Sequence, residues 1–490
     1  MSEDTGNTTG GRVHIWSVVN NRRVRAGAAV GAAFAMTAWA GACASSVTPA
    51  GSSQPGSAGS SATVLVPRGD HGHGGDRPRL TGVGSCSRPS LADFDCGTLT
   101  VPLDHSAPDS RTLDLAVTMQ RSPEGEPPEP VLLLLTGGPG QPGVRFAAKE
   151  ADHLAPVLEH YRLVMIDQRG TGATALDCPK LQQQMAEDDL LKPTRDAVVQ
   201  CSRTVGDDRA FYGTQDTVAD LDWLRRALGV QTMAVDGISY GSYVAERYAL
   251  VHRHHVDHLV LDSVVPHHWT PEGSEQLANI TAVRRVLRLV CREQQCTTDP
   301  VADLATLVDR RHDGPELLNM LAILSVIRPD MDFVPDMLHQ AVQGNTGQLE
   351  GWLQGIAGSV VPIQQFSQGL HAATLCMDQN EPWGDSDTPF RLREEAIGDL
   401  LAHLPDSRTY PFNAATAATN GLVQVCRWWG LTPPDHVSRK RNLPPVPTLL
   451  LVGDHDLSTS VEWGSVEAAR APHGRLVVVE GAGHDVQSQL

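Results

Sequence analysis

Residues 233–250 read MAVDGISYGSYVAERYAL, and the predicted fold follows from this segment. A short apolar strand is followed by Gly-Ile-Ser-Tyr-Gly at 237–241 and then by a helical run. A serine on so sharp a strand-to-helix turn has an exposed hydroxyl, and the turn aims the next amide, that of Tyr240, at a developing oxyanion. Ser239 is therefore the candidate nucleophile. The alternative is a glycine-rich turn in which the serine only caps the helix.

An orienting acid is predicted just after the strand at 448–452, where the chain reads Gly-Asp-His-Asp. A serine hydroxyl needs a base, the base needs a carboxylate, and in this architecture the acid precedes the base along the chain. Asp456 is the predicted acid, because it lies three residues past Gly453, where the loop turns toward the histidine. Asp454 is the alternative candidate for the acid. It can also be interpreted as a residue that only caps the loop.

The general base is predicted at His484, on the loop after the last strand. This loop reads Gly-Ala-Gly-His-Asp at 481–485 and offers nothing apolar that would bury the imidazole. His455 lies beside the predicted acid and is interpreted as a loop residue rather than as the base.

The second half of an oxyanion hole is predicted in the loop Thr-Gly-Gly-Pro-Gly-Gln-Pro-Gly at 136–143, which follows an apolar strand. Glycines let the backbone approach a substrate, whereas Pro139 fixes the turn but has no amide to donate. The predicted donors are therefore the amides of Gly138 and Tyr240, with Gly137 as the next choice in the loop. A phosphate-binding loop is the alternative, but the Lys-Ser/Thr ending that it needs is absent.

The folded part alternates apolar strands with helices, which indicates an α/β fold with a mostly parallel central sheet and helices on both faces. A helix is predicted at 217–228, with Asp216 as its N-cap and Gly229 as its stop. The segment 267–441 is rich in helix formers and is predicted to form a helical lid above the strand ends. The predicted strands are 98–103, 113–120, 131–135, 162–166, 233–235, 258–261, 448–452 and 476–479.

Five regions are predicted along the chain: an export signal at 1–42, a flexible Ser/Gly/Pro tether at 43–80, the first part of the core at 81–266, the lid at 267–441 and the C-terminal part of the core at 442–490. The signal has a positive flank with Arg22 and Arg23, then a short apolar middle and small residues at its end. Cleavage before Cys43 would allow a lipid to be attached to its thiol, and simple secretion is the alternative. The protein is therefore placed outside the cell or on the cell envelope, with membrane contact only through Cys43.

Cysteine usage agrees with export. Setting Cys43 aside leaves eight cysteines, and an even number in an exported chain suggests disulfides. Spacing alone leaves 105 pairings, but the short separations favour pairing in sequence order. A zinc site is the competing interpretation, and no Cys-x-x-Cys pair supports it. The predicted pairs are Cys86–Cys96, Cys178–Cys201, Cys291–Cys296 and Cys376–Cys426.

The chain of 490 residues has 57 acidic and 39 basic side chains and a formal net charge of −18. This acidity argues against a nucleic-acid partner, which needs a basic surface, and it permits attraction of a cationic group such as a free amino terminus. The lid acids Asp378, Glu381 and Glu316 could bind such an amine, but each is interpreted as a solvated surface charge. No metal and no cofactor is predicted.

Four segments together resemble the α/β-hydrolase peptidases: the Gly-Gly-Pro-Gly loop, Asp-Gln-Arg-Gly-Thr-Gly at 167–172, the Gly-Ile-Ser-Tyr-Gly turn and the terminal acid–histidine pair. Within that group the chain is similar, from about Cys86 to its end, to the secreted tripeptidyl aminopeptidases of actinomycetes, a branch of the prolyl aminopeptidase clan. The resemblance implies a serine exopeptidase with Ser239 as nucleophile, Asp456 as orienting acid and His484 as general base and acid. The implied partner is a peptide with a free N-terminus, from which short peptides, tripeptides among them, are released.

The chain departs from the family pattern at two places. Thr136 replaces the histidine that begins the glycine loop of prolyl aminopeptidases, so specificity for a single proline is not expected. Relatives usually continue past the histidine into a closing helix, whereas this chain ends at Leu490, so the loop that carries His484 is expected to be less well held. An ion pair between Arg169 and Asp220 is expected to hold the loop at the site.

Two other functions stay open at this point. A secreted ester hydrolase would use the same triad, because the same machinery cleaves both bond types. An envelope protein that keeps the fold for binding and has impaired catalysis is the non-enzymatic alternative.

Overall fold

The computed structural model describes residues 78–107, 111–122, 129–267, 275–379, 381–434 and 441–490. The predicted export signal at 1–42, Cys43 and most of the predicted tether lie outside the described residues. Within the described part of the chain, no helix combines the length and the apolar character needed to cross a bilayer.

One sheet of nine strands forms the centre of the described part of the chain. Its strands are β1 (Leu80–Ser85), β2 (Phe94–Pro102), β3 (Thr112–Gln120), β4 (Val131–Leu135), β5 (Arg162–Ile166), β6 (Met233–Ile238), β7 (Val256–Asp262), β8 (Thr448–Gly453) and β9 (Gly474–Val479). Their order across the sheet is β1-β2-β3-β5-β4-β6-β7-β8-β9. The strands from β4 to β9 are parallel, and β1, β2 and β3 pair antiparallel at one edge.

Helices flank this sheet and follow its strands along the chain. The helices are α1 (Ala147–His153), α2 (Pro179–Met185), α3 (Arg195–Val205), α4 (Thr214–Leu228), α5 (Tyr240–Val251), α6 (Glu275–Gln294), α7 (Pro300–Arg311), α8 (Gly314–Ile327), α9 (Val334–Val342), α10 (Gly347–Ala357), α11 (Gln368–Asp378), α12 (Phe390–His403), α13 (Asp406–Thr409), α14 (Ala414–Ala418), α15 (Gly421–Trp428) and α16 (Val461–Ala468). Every residue of β4 is buried, as expected of a strand that is covered on both faces. The predicted α/β class with a mostly parallel sheet is confirmed.

Helices α6 to α15 fall between β7 and β8 and have an apolar core of their own. Leu287, Leu304, Leu321 and Leu338, from the four helices α6 to α9, are fully buried in it. A separate apolar cluster joins α11 and α15 to α2 and α3. The helices of this insertion are therefore held both by one another and by the elements that precede the nucleophile strand.

The described residues contain the four disulfides that sequence order predicts. Two of them lie in the cluster that joins α2 and α3 to α11 and α15: Cys178–Cys201 and Cys376–Cys426. Each crosslinks segments that also share apolar contacts. Loss of a native disulfide typically costs about 2–5 kcal/mol, so these bonds add to the burial that already holds the helices.

The starts of α4 and β1 both differ from the sequence prediction. The helix predicted at 217–228 begins at Thr214, and Gly213 rather than Asp216 is its N-cap. Asp216 lies within the first turn, where a negative charge favours the helix dipole, and burial raises the pKa of its carboxyl to about 6. The first strand begins at Leu80, inside the predicted tether.

Arg169 and Asp220 form the ion pair expected from the sequence. Arg169 Nε donates to Asp220 Oδ2 at 2.7 Å and Nη2 donates to Oδ1 at 2.6 Å, with both side chains buried. The remaining guanidinium hydrogens go to the carbonyl oxygens of Pro102, Leu103 and Phe211. The arginine thus joins its own loop to α4 and to the end of β2.

Replacing Asp220 by asparagine is expected to lower the free energy of unfolding by about 3–5 kcal/mol, because Arg169 would stay buried without its countercharge. Chemical denaturation measures this change. Asp208→Asn is the matched control, since it removes the exposed partner of Arg111, for which a loss of about 0–1 kcal/mol is expected. Equal losses for the two substitutions would contradict the importance of the buried pair.

Candidate active site

Ser239 lies on the turn between β6 and α5, with backbone angles φ 59° and ψ −126°. A positive φ is strained for a residue with a side chain and persists only where the surroundings impose it. A Cβ atom on Gly237 would lie 2.1 Å from the carbonyl oxygen of Gly241, and one on Gly241 would lie 2.2 Å from that of Leu135. The strand, the helix and β4 therefore meet at backbone distance, which explains both glycines of the motif.

Asp456 and His484 are joined by a hydrogen bond of 3.0 Å between Asp456 Oδ2 and His484 Nδ1. The buried carboxylate also accepts from the amides of Ser458 (2.7 Å) and Thr459 (2.9 Å) and from the Thr459 hydroxyl (2.7 Å). An ionised carboxylate only accepts, so Nδ1 of the imidazole carries a proton, and in the neutral imidazole Nε2 keeps its lone pair. This is the tautomer that a general base requires.

The surroundings of His484 raise its pKa above the ordinary 6.5. Burial acts in the opposite direction, but the charge of Asp456 and the hydrogen bond to it outweigh burial, and the nearby charges of Asp485 and Asp262 add to them. Because the folded-state pKa is raised, the imidazole stabilises the fold in acid, and this contribution is lost as the pH rises through the folded-state pKa.

The loop that carries His484 is bound to the end of β7. The Asp262 carboxylate accepts from the two amides at 486–487, at 2.9 and 2.7 Å, and the Ser263 hydroxyl accepts from the amide of Asp485 at 2.9 Å. Burial raises the pKa of the Asp262 carboxyl to about 6. The structure therefore differs from the expectation of a loosely held loop, because three backbone amides next to the histidine are bound by one strand end.

Ser239 is bound to the same strand end, since its amide donates to the carbonyl oxygen of Asp262 at 2.9 Å. Among the described residues no hydrogen bond joins the Ser239 hydroxyl to His484. Thr459 lines one pocket with Ser239, and its hydroxyl lies 3.1 Å from His484 Nδ1. Catalytic hydrogen bonds are often long before substrate binds and shorten in the complex.

The backbone of the predicted oxyanion hole lies beside the serine. Gly138 and Tyr240 line the same pocket as Ser239. A Cβ atom on Gly137 would lie 2.8 Å from the Cβ atom of Ser239, so the loop approaches the serine as closely as only glycine permits. The role of the Gly138 and Tyr240 amides as donors stays a prediction.

The pocket beside Ser239 has an acidic wall. Asp189 and Asp378 line it, and no lysine or arginine does so within the described residues. Asp378 is buried and accepts from the amide of Thr214 at 3.0 Å. The interpretation of Asp378 as a solvated surface charge is therefore wrong, and it is equally wrong for Glu381, which is also buried.

His455 and Asp454 shape the acid loop instead of taking part in the hydrogen-bonded pair. His455 is buried, and its Nδ1 donates to a carbonyl oxygen of the insertion at 2.6 Å. Asp454 Oδ1 accepts from the amide of Gly481 at 2.7 Å, which joins the two loops that carry the predicted acid and base. The structure thus brings Asp456, and not Asp454, to His484.

Three residues of the site were missed by the sequence analysis: Thr459, Asp262 and Asp189. The sequence does contain a signal for Thr459. An aspartate side chain commonly accepts a hydrogen bond from the backbone amide three residues later, as Asp456 does from Thr459. Asp262 ends a strand, and nothing in its own segment indicates that it binds the loop after His484. Asp189 lies in an irregular segment between α2 and α3 that no motif distinguishes.

Two groups of described residues bring three metal-ligating atoms together: Glu246, His267 and Glu467, and Asp222, His252 and His255. In the first group His267 hydrogen-bonds through both nitrogens, to Glu467 at 2.9 Å and to the carbonyl oxygen of Arg441 at 2.8 Å. Burial opposes its charge, but the bonds to the two glutamates raise the pKa of His267 to about 10, so neither nitrogen offers a lone pair. In the second group the guanidinium of Arg225 donates to Asp222 at 2.8 Å, and its positive charge would repel a metal ion bound there.

Comparison with known proteins identifies the family. A family model described as alpha/beta hydrolase fold matches residues 130–489. The chain belongs to this family. This chain is 31% identical over 194 residues to a tripeptidyl aminopeptidase of Streptomyces lividans, a match that covers 35% of each protein. The predicted resemblance to the actinomycete tripeptidyl aminopeptidases is confirmed.

Two further relatives carry related descriptions. This chain is 28% identical over 197 residues to the serine protease Hip1 of Mycobacterium tuberculosis, in a match that covers 37% of this chain and 38% of that protein. It is 32% identical over 146 residues to a probable proline iminopeptidase of Streptomyces coelicolor, which covers 29% of this chain and 34% of that protein. The aligned part is thus about a third of the length of each relative.

The pKa of His484, followed by the imidazole resonances in an NMR titration, is expected to lie above 6.5. Asp456→Asn is expected to lower it, because the substitution removes the charge that stabilises the imidazolium. Asp454→Asn, which changes a carboxylate in the same loop, is the control and is expected to shift the pKa less. A larger shift in the control would mean that the orienting acid has been misidentified.

Proposed function

We propose that this α/β hydrolase is a secreted serine exopeptidase that releases short peptides, tripeptides among them, from free N-termini. The observation that carries the proposal is the hydrogen bond between buried Asp456 and His484, next to a pocket that contains Ser239. The similarity to a tripeptidyl aminopeptidase and to a serine protease supports peptide substrates. Four disulfides among the described residues are compatible with an extracellular location.

The proposed reaction is an acyl transfer in two steps. Nε2 of His484 takes the hydroxyl proton of Ser239, and the oxygen attacks the scissile carbonyl carbon. The amides of Gly138 and Tyr240 hold the resulting oxyanion. The imidazolium then gives its proton to the leaving amine, and the peptide bond breaks. Water, deprotonated by the same imidazole, hydrolyses the acyl-enzyme and regenerates the serine.

The acidic wall supports the preference for a free N-terminus. Asp189 and Asp378 face a pocket without a lysine or arginine among its described residues, so the negative charge of this wall would attract a positive α-ammonium group. The insertion between β7 and β8 supplies Asp378 and would limit how far the substrate extends past its own amine. In this scheme the distance from the acidic wall to Ser239 sets the length of the peptide released.

Export and lipid attachment are part of the proposal. The segment 1–42 would direct the chain out of the cell, and Cys43 would either be acylated or simply follow the cleavage site. Both positions lie outside the described residues. Mass spectrometry of the exported protein would distinguish an acylated Cys43 from a free N-terminus near it.

A fluorophosphonate probe is expected to attach one label to the wild-type protein and none to Ser239→Ala. Asp456→Asn is expected to lower kcat by about 10⁴-fold, because the imidazole loses the partner that fixes its tautomer. Asp454→Asn is the matched control in the same loop and should keep most of the activity. An unlabelled wild-type protein would support the binding-protein alternative instead.

A tripeptidyl amide with a free N-terminus is expected to exceed its N-acetylated form in kcat/KM by at least about 10²-fold, because acetylation removes the positive charge that the acidic wall attracts. The measurement compares these two amides with short acyl esters of similar size. Cleavage that is confined to the esters would show that the enzyme is an ester hydrolase and not a peptidase.

A further inference from the structure

The glycine loop at 137–140 rests on the segment that leads into α11. The ring of Phe366 lies against it, 3.2 Å from where a Cβ atom on Gly138 would be. The amide of Ser367 donates to the carbonyl oxygen of Gly140 at 3.0 Å. Gly138 has φ of +107°, a conformation that glycine adopts freely, so the loop needs contacts from outside to keep its shape.

His371 is the side chain that connects this loop to the pocket. Its Nδ1 hydrogen-bonds the carbonyl oxygen of Pro139 at 2.7 Å, and its Nε2 hydrogen-bonds Asp189 Oδ1. The carbonyl oxygen only accepts, so Nδ1 carries a proton, and the ionised carboxylate also only accepts, so Nε2 carries another. While Asp189 is ionised, the imidazole is therefore a cation with Asp189 as its countercharge, although its side chain is only 2% exposed.

We propose that His371 is a positioning residue for the oxyanion hole and that Asp189 is its charged partner. The inference rests on the proposed function, because it takes the amide of Gly138 as an oxyanion donor. Pro139 has a fixed φ, so only three soft torsions separate the carbonyl oxygen that His371 holds from that amide. Because His371 holds the carbonyl oxygen of Pro139 in place, the amide of Gly138 stays directed at the carbonyl that Ser239 attacks.

The expected effect follows from the geometry that an oxyanion donor needs. Loss of a donor typically costs about 10²–10³ in rate, and a misplacement of about 1 Å can cost 10²-fold. Loss of His371 leaves the amide of Gly138 in the loop, but the direction of its N–H bond is no longer fixed. The fall in kcat is therefore expected to be about 10-fold to 10²-fold, with little change in KM because substrate binding elsewhere is unchanged.

Three variants separate this role from a merely structural one. His371→Leu removes both hydrogen bonds. His371→Asn keeps a donor near the position of Nδ1 and is expected to restore the bond to Pro139. Thr374→Val is the matched control on the same helix: Thr374 is also 2% exposed and donates to the carbonyl oxygen of Tyr212 at 2.7 Å, so the variant loses a buried hydrogen bond on the side of α11 that faces Tyr212.

The primary readout is the rate of labelling of Ser239 by a small uncharged fluorophosphonate, with kcat, KM and Tm measured alongside. His371→Leu is expected to label and to turn over about 10-fold to 10²-fold more slowly. His371→Asn should recover most of that loss, and Thr374→Val should label at the wild-type rate even if its Tm falls. Asp189→Asn is expected to label more slowly too, and since the probe has no amine, this loss reports the loop rather than substrate binding.

The outcomes distinguish this inference from the proposed function. Labelling of folded His371→Leu at the wild-type rate would overturn the positioning role and leave the exopeptidase proposal intact. Equal losses for His371→Asn and His371→Leu would also overturn it, because a structural residue would behave in that way. If His371→Leu does not fold, unchanged labelling of Asp189→Asn would overturn it. A wild-type protein that neither labels nor cleaves would overturn both proposals.

Discussion

The end of β7 is the point on which the rest of the site depends. In the sheet, β7 lies between β6, which leads to Ser239, and β8, which leads to Asp456. Its last residue, Asp262, binds the amide of Ser239 through its carbonyl oxygen and the backbone after His484 through its carboxylate. A buried carboxylate is tolerated here because backbone donors satisfy its oxygens. Two segments that are far apart in sequence, the Ser239 turn and the backbone after His484, are thereby held by one residue.

The sequence predicts the parts of the site that depend on local backbone chemistry. The positions of Ser239, Asp456 and His484 follow from strand ends and from the glycines beside them, and the structure joins the last two by a hydrogen bond. The burial of Asp378 and the placement of Asp189 could not be predicted, because both depend on how the insertion packs against α2 and α3. The start of α4 was missed for a related reason: Asp216 is a strong N-cap type, but its burial beside Arg169 fixes it inside the first turn.

Helix α11 connects the glycine loop to the pocket beside Ser239. The segment before it and its first turn contact the glycine loop through Phe366, Ser367 and His371, and its last residue, Asp378, lines the pocket. The disulfide from Cys376 to α15 crosslinks the helix close to that last residue. The insertion is therefore not only a cover over the pocket, because one of its helices also supports the loop that the proposed reaction uses.

The buried group of Glu246, His267 and Glu467 joins the two ends of this insertion to the core. His267 lies where the chain leaves the core, and its imidazole binds the carbonyl oxygen of Arg441, where the chain returns. Its amide also donates to Glu246 on α5, the helix that follows Ser239. The two ends of the insertion are thus latched together at one hinge, and opening it as a rigid flap would expose a charged cluster. For the proposed peptidase we expect substrates to reach the serine through fluctuations of individual connecting loops, so that admission is selective by size.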